Sequence, residues 1–94
     1  MEVVNETQKV LRCSTSTDAS KLSESIYSSC KNDATAKVSI RVIGAGALNQ
    51  AVKAAILSNK FFSKKGLSVG LVPSFQDSEN NVTVIELKVV LLKN

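Results

Sequence analysis

The segment from Ala36 to Phe62, AKVSIRVIGAGALNQAVKAAILSNKFF, constrains the fold more than any other part of the chain. Val38, Ile40 and Val42 alternate with Ser39 and Arg41, the period-two pattern of a strand with one buried face. Gly44 and Gly46 follow at once. Beyond them Leu48, Ala51, Val52, Ala55 and Ile56 recur at helical spacing. Phe61 and Phe62 carry the chain past this predicted helix, and Gly66 closes the turn. A strand, a tight glycine turn and an amphipathic helix in direct succession belong to a sheet with helices laid against it.

The flanking segments complete that layer. Lys9 to Ser14 alternates Val10, Arg12 and Ser14 against Leu11 and Cys13, a first strand. Thr17 or Asp18 then supplies a helix N-cap, and Ala19, Leu22, Ile26 and Cys30 form one apolar stripe on a helix ending near Lys31. Serine is frequent in this helix, so its own propensity is weak and packing must hold it. Lys31 to Thr35 reads as a loop. Leu67, Val69 and Leu71 alternate in a third strand, whose end Pro73 restricts to an edge or a bulge. Residues 75–81 have hairpin-loop chemistry, and 82–92 form a long fourth strand with apolar residues on both faces. The order is β-α-β-α-β-β. It predicts an α/β two-layer sandwich, a four-stranded mixed sheet with two helices on one face. The other sheet face has no covering element, and its surplus apolar surface implies a homo-oligomer. Residues 1–8 read as a flexible N-terminal segment and 9–94 as a single domain.

Composition narrows the function. The chain has no histidine and only two cysteines, Cys13 and Cys30, which are not a CxxC pair. Ser-His and Cys-His dyads are therefore absent, and so are imidazole and multi-thiolate metal sites. No spaced carboxylate pair suggests acid–base work. An enzyme is not expected, nor a cofactor or a bound metal. With no secretory signal and no long apolar run, the expected location is the cytoplasm, with no membrane partner and both thiols free for packing. Twelve Lys and Arg against eight Asp and Glu give a net charge of +4, a mildly basic balance that suits a phosphate-binding surface. Tyr27, Phe61, Phe62 and Phe75 do not form an aromatic ladder for stacking bases.

Three readings of Ile43 to Ala54 compete. Gly44-x-Gly46-x-x-Asn49 sits where a dinucleotide fingerprint would, but the third glycine is Asn49 and no acidic residue lies near twenty positions on. Alternatively the glycines serve only a tight turn and close packing. The third reading is a phosphate-backbone site, with the helix N-terminus and Asn49, Gln50 and Lys53 as donors and Arg41 within reach from the preceding strand.

The string IGAGALNQAVKA resembles the central signature of the stage V sporulation protein S (SpoVS) family. The similarity continues more weakly through LSVGLVPSF and VIELKVVL, over roughly residues 9–92. The resemblance implies an Alba-like fold, a β-α-β-α-β-β sandwich that pairs into dimers. It also implies a regulatory, sporulation-related role with contact to DNA or RNA backbone. Residue by residue it supports Gly44, Gly46, Asn49, Gln50 and Lys53. The chain departs from the family pattern at Ser14 to Asp18, which has no Lys or Arg where related chains carry a lysine. The leading expectation is a small homodimeric or larger nucleic-acid-binding protein that uses Arg41, Gly44, Gly46, Asn49, Gln50 and Lys53. Its alternatives are a homo-oligomeric protein-interaction module and a small phosphate-ligand binder at the Gly44–Gly46 turn.

Overall fold

A computed structural model describes residues 8–30, 37–76 and 82–94. They form β1 (Gln8–Cys13), α1 (Ala19–Cys30), β2 (Lys37–Val42) and α2 (Ala45–Phe62). A 3-10 turn (Ser63–Lys65), β3 (Leu67–Gln76) and β4 (Val84–Lys93) complete the chain. The strands make one mixed sheet in the order β1-β2-β4-β3. β1 and β2 pair in parallel, and β4 is antiparallel to both β2 and β3. Parallel neighbours cannot be joined by a hairpin, so α1 crosses over between them. β3 consequently runs in the direction of β2 from two places away, with α2 as the crossover and β4 filling the gap.

The expected α/β sandwich is therefore the observed fold. It is a slab 20 Å through its shortest axis, one helix layer on one sheet layer. Its core is built where the sequence places it. Val38, Ile40 and Val42 of β2 and Leu87 and Val89 of β4 are buried against Leu22, Ile26 and Cys30 of α1 and Ala47, Ala51, Ala54 and Phe62 of α2. Asp18 caps α1: its Oδ1 accepts the N–H groups of Ser20 at 2.9 Å and Lys21 at 3.3 Å. That satisfies two of the donors left free at a helix start. The serines of α1 turn inward on their own helix. Ser23 and Ser29 donate to carbonyls one turn earlier, so they enter a packed layer without stranded hydroxyls, and the exposed Ser28 does the same on the outer side.

Several boundaries differ from the expectation. Gln8, assigned to the N-terminal segment, opens β1, and that strand ends at Cys13 rather than Ser14. α2 runs on through Phe61 and Phe62, because Phe62 closes the core and is 1% exposed. β3 continues past Pro73 to Gln76, taking Phe75 and Gln76 out of the expected loop. Pro73 is tolerated there because β3 is the edge strand, and its missing N–H costs no ladder bond on the outer side. β4 begins at Val84, two residues later than expected, and ends at Lys93. The expected segment 1–7 and the loops at 31–36 and 77–81 lie outside the described residues.

The largest difference is on α2. Its buried stripe is Ala47, Ala51, Ala54, Ala55, Ser58 and Phe62, while Val52 and Ile56 face outward, Ile56 61% exposed. Alanine fits both sides of the helical wheel, so the larger side chains mislead. Only small residues allow α2 to lie close over the sheet and against α1. The far end of the pair is fixed by aromatics. The Tyr27 ring lies 5.0 Å from Phe61 and 5.1 Å from Phe62, and the Lys65 ammonium sits 5.3 Å over Tyr27. Gly66, at φ 74°, then turns the chain into β3.

Two outcomes test this packing. Phe62→Ala should cost about 3–5 kcal/mol in urea unfolding, against about 1 kcal/mol for its half-exposed neighbour Phe61→Ala. Equal losses at the two positions would contradict the placement of Phe62. Burial also pushes the thiols of Cys13 and Cys30 above their ordinary value of 9.0. The folded state therefore holds these protons to higher pH than the unfolded state. Their stabilising contribution is complete below 9.0 and fades as pH rises from there toward the folded values. The stability difference between the protein and its Cys13→Ala/Cys30→Ala double variant should shrink across that window. A constant difference would show that the thiols ionise as freely in the fold as outside it.

Candidate functional site

The carboxyl ends of β1, β2 and β3 and the start of β4 share one end of the sheet, because β1, β2 and β3 run in the same direction. In open α/β sheets this is the end where ligands bind. Here both crossovers leave the sheet. The first begins as a tight turn at Ser14 to Thr17, in which the Thr17 N–H donates to the Ser14 carbonyl at 3.1 Å. The Ser14 N–H returns a bond to Thr17 Oγ1 at 2.8 Å. The Ser14 hydroxyl lies 3.1 Å from that of Ser16 and 3.3 Å from that of Thr17.

The second crossover is held against the first. Gly44 takes φ 91°, a conformation side chains resist, and starts α2 with no side-chain cap. The N–H groups of the first turn are left to water or to an anion. Gly46 answers a different need. A Cβ there would stand 2.8 Å from Thr15 Oγ1 and 3.0 Å from Thr15 Cγ2, so glycine lets the turn and the helix touch. Two bonds lock the contact. The Gln50 amide donates to the Thr17 carbonyl at 2.7 Å, and the Cys13 thiol donates to the Ala47 carbonyl at 3.3 Å. Burial raises the Cys13 thiol, a hydrogen bond with the Thr17 side chain working the other way, so it is a packing group and not a thiolate.

The sequence candidates therefore divide. Gly44 and Gly46 shape the turn and the helix start. Gln50 faces the loop, and its amide positions Thr17. Asn49 and Lys53 lie exposed one turn apart on α2. Arg41 lies on the open sheet face, where its Nε stands 3.9 Å from Glu86 Oε2, and Gln76 shares the same carboxylate at 3.3 Å. The pair involves only Nε, and with both side chains partly exposed it contributes little.

Two features were missed from sequence. Parallel register sets Arg12 beside Arg41 on the open face. Among the described residues Arg12 has no hydrogen-bond or ion-pair partner. The Ser14–Thr17 turn, set aside for want of a basic residue, overhangs those arginines. Together with Ile43 and Val84 they line a cavity of about 660 Å³. The only sequence signal for the pair was an arginine at an outward position near the end of each of two strands. More widely, strand alternation puts Arg12, Lys37, Arg41 and Lys88 on the open face against Glu86. That face carries the expected apolar surplus, in Val10, Val72, Val84, Val90 and Leu92, but the cations set among these residues were not expected. Among the described residues no group of three or more Cys, Asp and Glu is placed to hold a metal, and no helix is long and apolar enough to cross a membrane.

The Gly46–Thr15 contact gives a direct test of this geometry. Gly46→Ala should destabilise the protein by about 1–3 kcal/mol. Thr15→Ala, which removes both of the shortest contacts, should recover most of that loss in the double variant. Additive losses, with no recovery, would place Gly46 away from the turn.

Comparison with known proteins bears on the whole described chain. The family model for stage V sporulation protein S (SpoVS) matches residues 9–92. No curated protein matches the sequence.

Proposed function

The chain belongs to the stage V sporulation protein S family, and on that footing we propose that it is a small regulatory protein that binds nucleic acid through its phosphate backbone. The observation that carries this reading is the uncapped start of α2 at Gly44, three residues past Arg41, with Asn49 and Lys53 exposed on the following turns. Free helix N–H groups and guanidinium forks are the donors that phosphate oxygens accept. Gln50 acts here by holding the Ser14–Thr17 turn in place. Among the described residues no helix or ribbon is presented for base reading, so the contact is to backbone and its specificity is low. The protein acts by binding and not by catalysis, in the cytoplasm, as a homodimer or larger homo-oligomer.

One observation favours a second reading, a homo-oligomeric interaction module without nucleic-acid binding. Val52 and Ile56 form an exposed apolar strip on α2, and Val72 and Leu92 are exposed on the open sheet face.

Titration with a labelled DNA duplex and a labelled single-stranded RNA separates the two. The nucleic-acid reading expects micromolar or tighter binding at low salt. Its affinity should fall with a log–log salt slope of about −0.9 per duplex phosphate neutralised and −0.7 per single-strand phosphate. Lys53→Glu should weaken binding at least about tenfold and flatten the slope, while unfolding at the same urea concentration as the parent. An oligomer that binds neither strand at low salt would establish the interaction module.

A further inference from the structure

The cavity at the end of the sheet has a chemistry of its own. Arg12 and Arg41 are direct neighbours across parallel strands, both on the open face. Like charges set opposite one another in a sheet oppose pairing. Among the described residues the only carboxylate in contact is Glu86, which reaches Arg41 at 3.9 Å and also accepts from Gln76. Arg12 has no counter-charge among the described residues. A local arrangement that works against the fold, with a single partial counter-charge among the described residues, points to something outside that completes it.

The roof of the cavity supplies donors. Ser14, Ser16 and Thr17 each carry one hydroxyl proton, and their hydroxyls are joined by two contacts, Ser14 to Ser16 and Ser14 to Thr17. A third contact ties the Thr17 hydroxyl to the Cys13 thiol, so these three protons can all be used within the turn, while the hydroxyl of Thr15, which also lines the cavity, has no partner among the described residues and is left for an acceptor from outside. The remaining wall is apolar. Ile43, 56% exposed, and the half-buried Val84 line it with hydrocarbon. The volume, about 660 Å³, is that of a small-molecule site.

We infer that this cavity binds a phosphate monoester: a terminal, doubly charged phosphate between the Arg12 and Arg41 guanidiniums and under the Ser14–Thr17 hydroxyls, with the organic group it is attached to lying on Ile43 and Val84. A monoester fits better than an internal phosphodiester. It offers three unesterified oxygens and two charges to two forks and a hydroxyl, where a diester offers two oxygens and one charge. A concave site at a sheet end also receives a chain terminus more readily than a continuous backbone. Two sources carry this group, a free mononucleotide and the 5′-phosphorylated end of a strand. The inference shares Arg41 with the proposed backbone contact but stands on Arg12 and the hydroxyl turn, which that contact does not need.

The test is a set of NMR titrations of the 15N-labelled protein with adenosine 5′-monophosphate, adenosine, and a short single strand with and without a 5′-phosphate. At least one phosphorylated probe should saturate and shift the amides of Ser14 to Thr17 and Ile43, while its unphosphorylated counterpart leaves them unmoved. Response to the mononucleotide alone identifies a small-molecule ligand, and response to the phosphorylated strand alone identifies a strand end. Arg12→Gln should weaken the responding probe at least about tenfold, the loss expected for a charged hydrogen-bond pair. Arg12→Lys, which keeps the charge and loses the fork, should fall between. Equal shifts with and without phosphate overturn the inference. So does full binding by an Arg12→Gln variant whose spectrum remains folded, or an absence of shifts with every probe.

Discussion

The site depends on how closely the first turn of α2 can approach the turn that follows β1. Both lie at the carboxyl end of the parallel β1–β2 pair, so each needs the space the other occupies. Gly46 resolves the conflict by having no Cβ where Thr15 Oγ1 stands. Once the two segments touch, Gln50 and Cys13 fasten them through the Thr17 and Ala47 carbonyls. The turn is then held over the ends of the strands, and the arginines beneath it acquire a roof. A side chain at Gly46 would push Thr15, and the turn it belongs to, away from the start of α2.

The same demand for closeness runs along the rest of α2. A helix that faces its sheet with Ala47, Ala51, Ala54 and Ala55 buries little area per residue, but it lets its backbone come near both α1 and the strands. The loss of apolar volume is made up at the far end, where Phe62 fills the core and Tyr27 packs on both phenylalanines. α2 is therefore tight at its start, where it shapes a site, and bulky at its end, where it anchors the layer. Val52 and Ile56 remain outside because the inner face is already full.

This division explains what the sequence made legible. Element order and the sheet core followed from period-two and period-three-to-four patterns, which report burial directly in Val38, Ile40, Val42, Leu22 and Ile26. On α2 the pattern failed because alanine is small enough to be read on either face, and the eye follows Val52 and Ile56. The strand running through Pro73 was illegible for another reason: whether a proline ends a strand depends on edge position, a property of the sheet and not of the segment. The glycines were legible because a positive φ and a missing Cβ are local requirements. The arginine pair was not. Arg12 and Arg41 are ordinary outward strand residues until parallel register brings them side by side.

Charge on the open face follows from that register as well. Along one row Arg12, Arg41 and Glu86 lie on successive strands, and Gln76 reaches the same carboxylate from β3. In the next row Val10 and Ser39 lead to Lys88. The two arginines therefore share their row with Glu86, which offsets one of their two charges, and Lys88 and Lys37 put one cation each in the rows behind. An uncovered sheet face made wholly of valines would collapse onto any apolar surface. One carrying these cations between its valines stays solvated and discriminates by sign. The cations that disfavour nonspecific association of the bare sheet are thus the same groups on which the proposed phosphate contacts draw, and no separate device is needed for each.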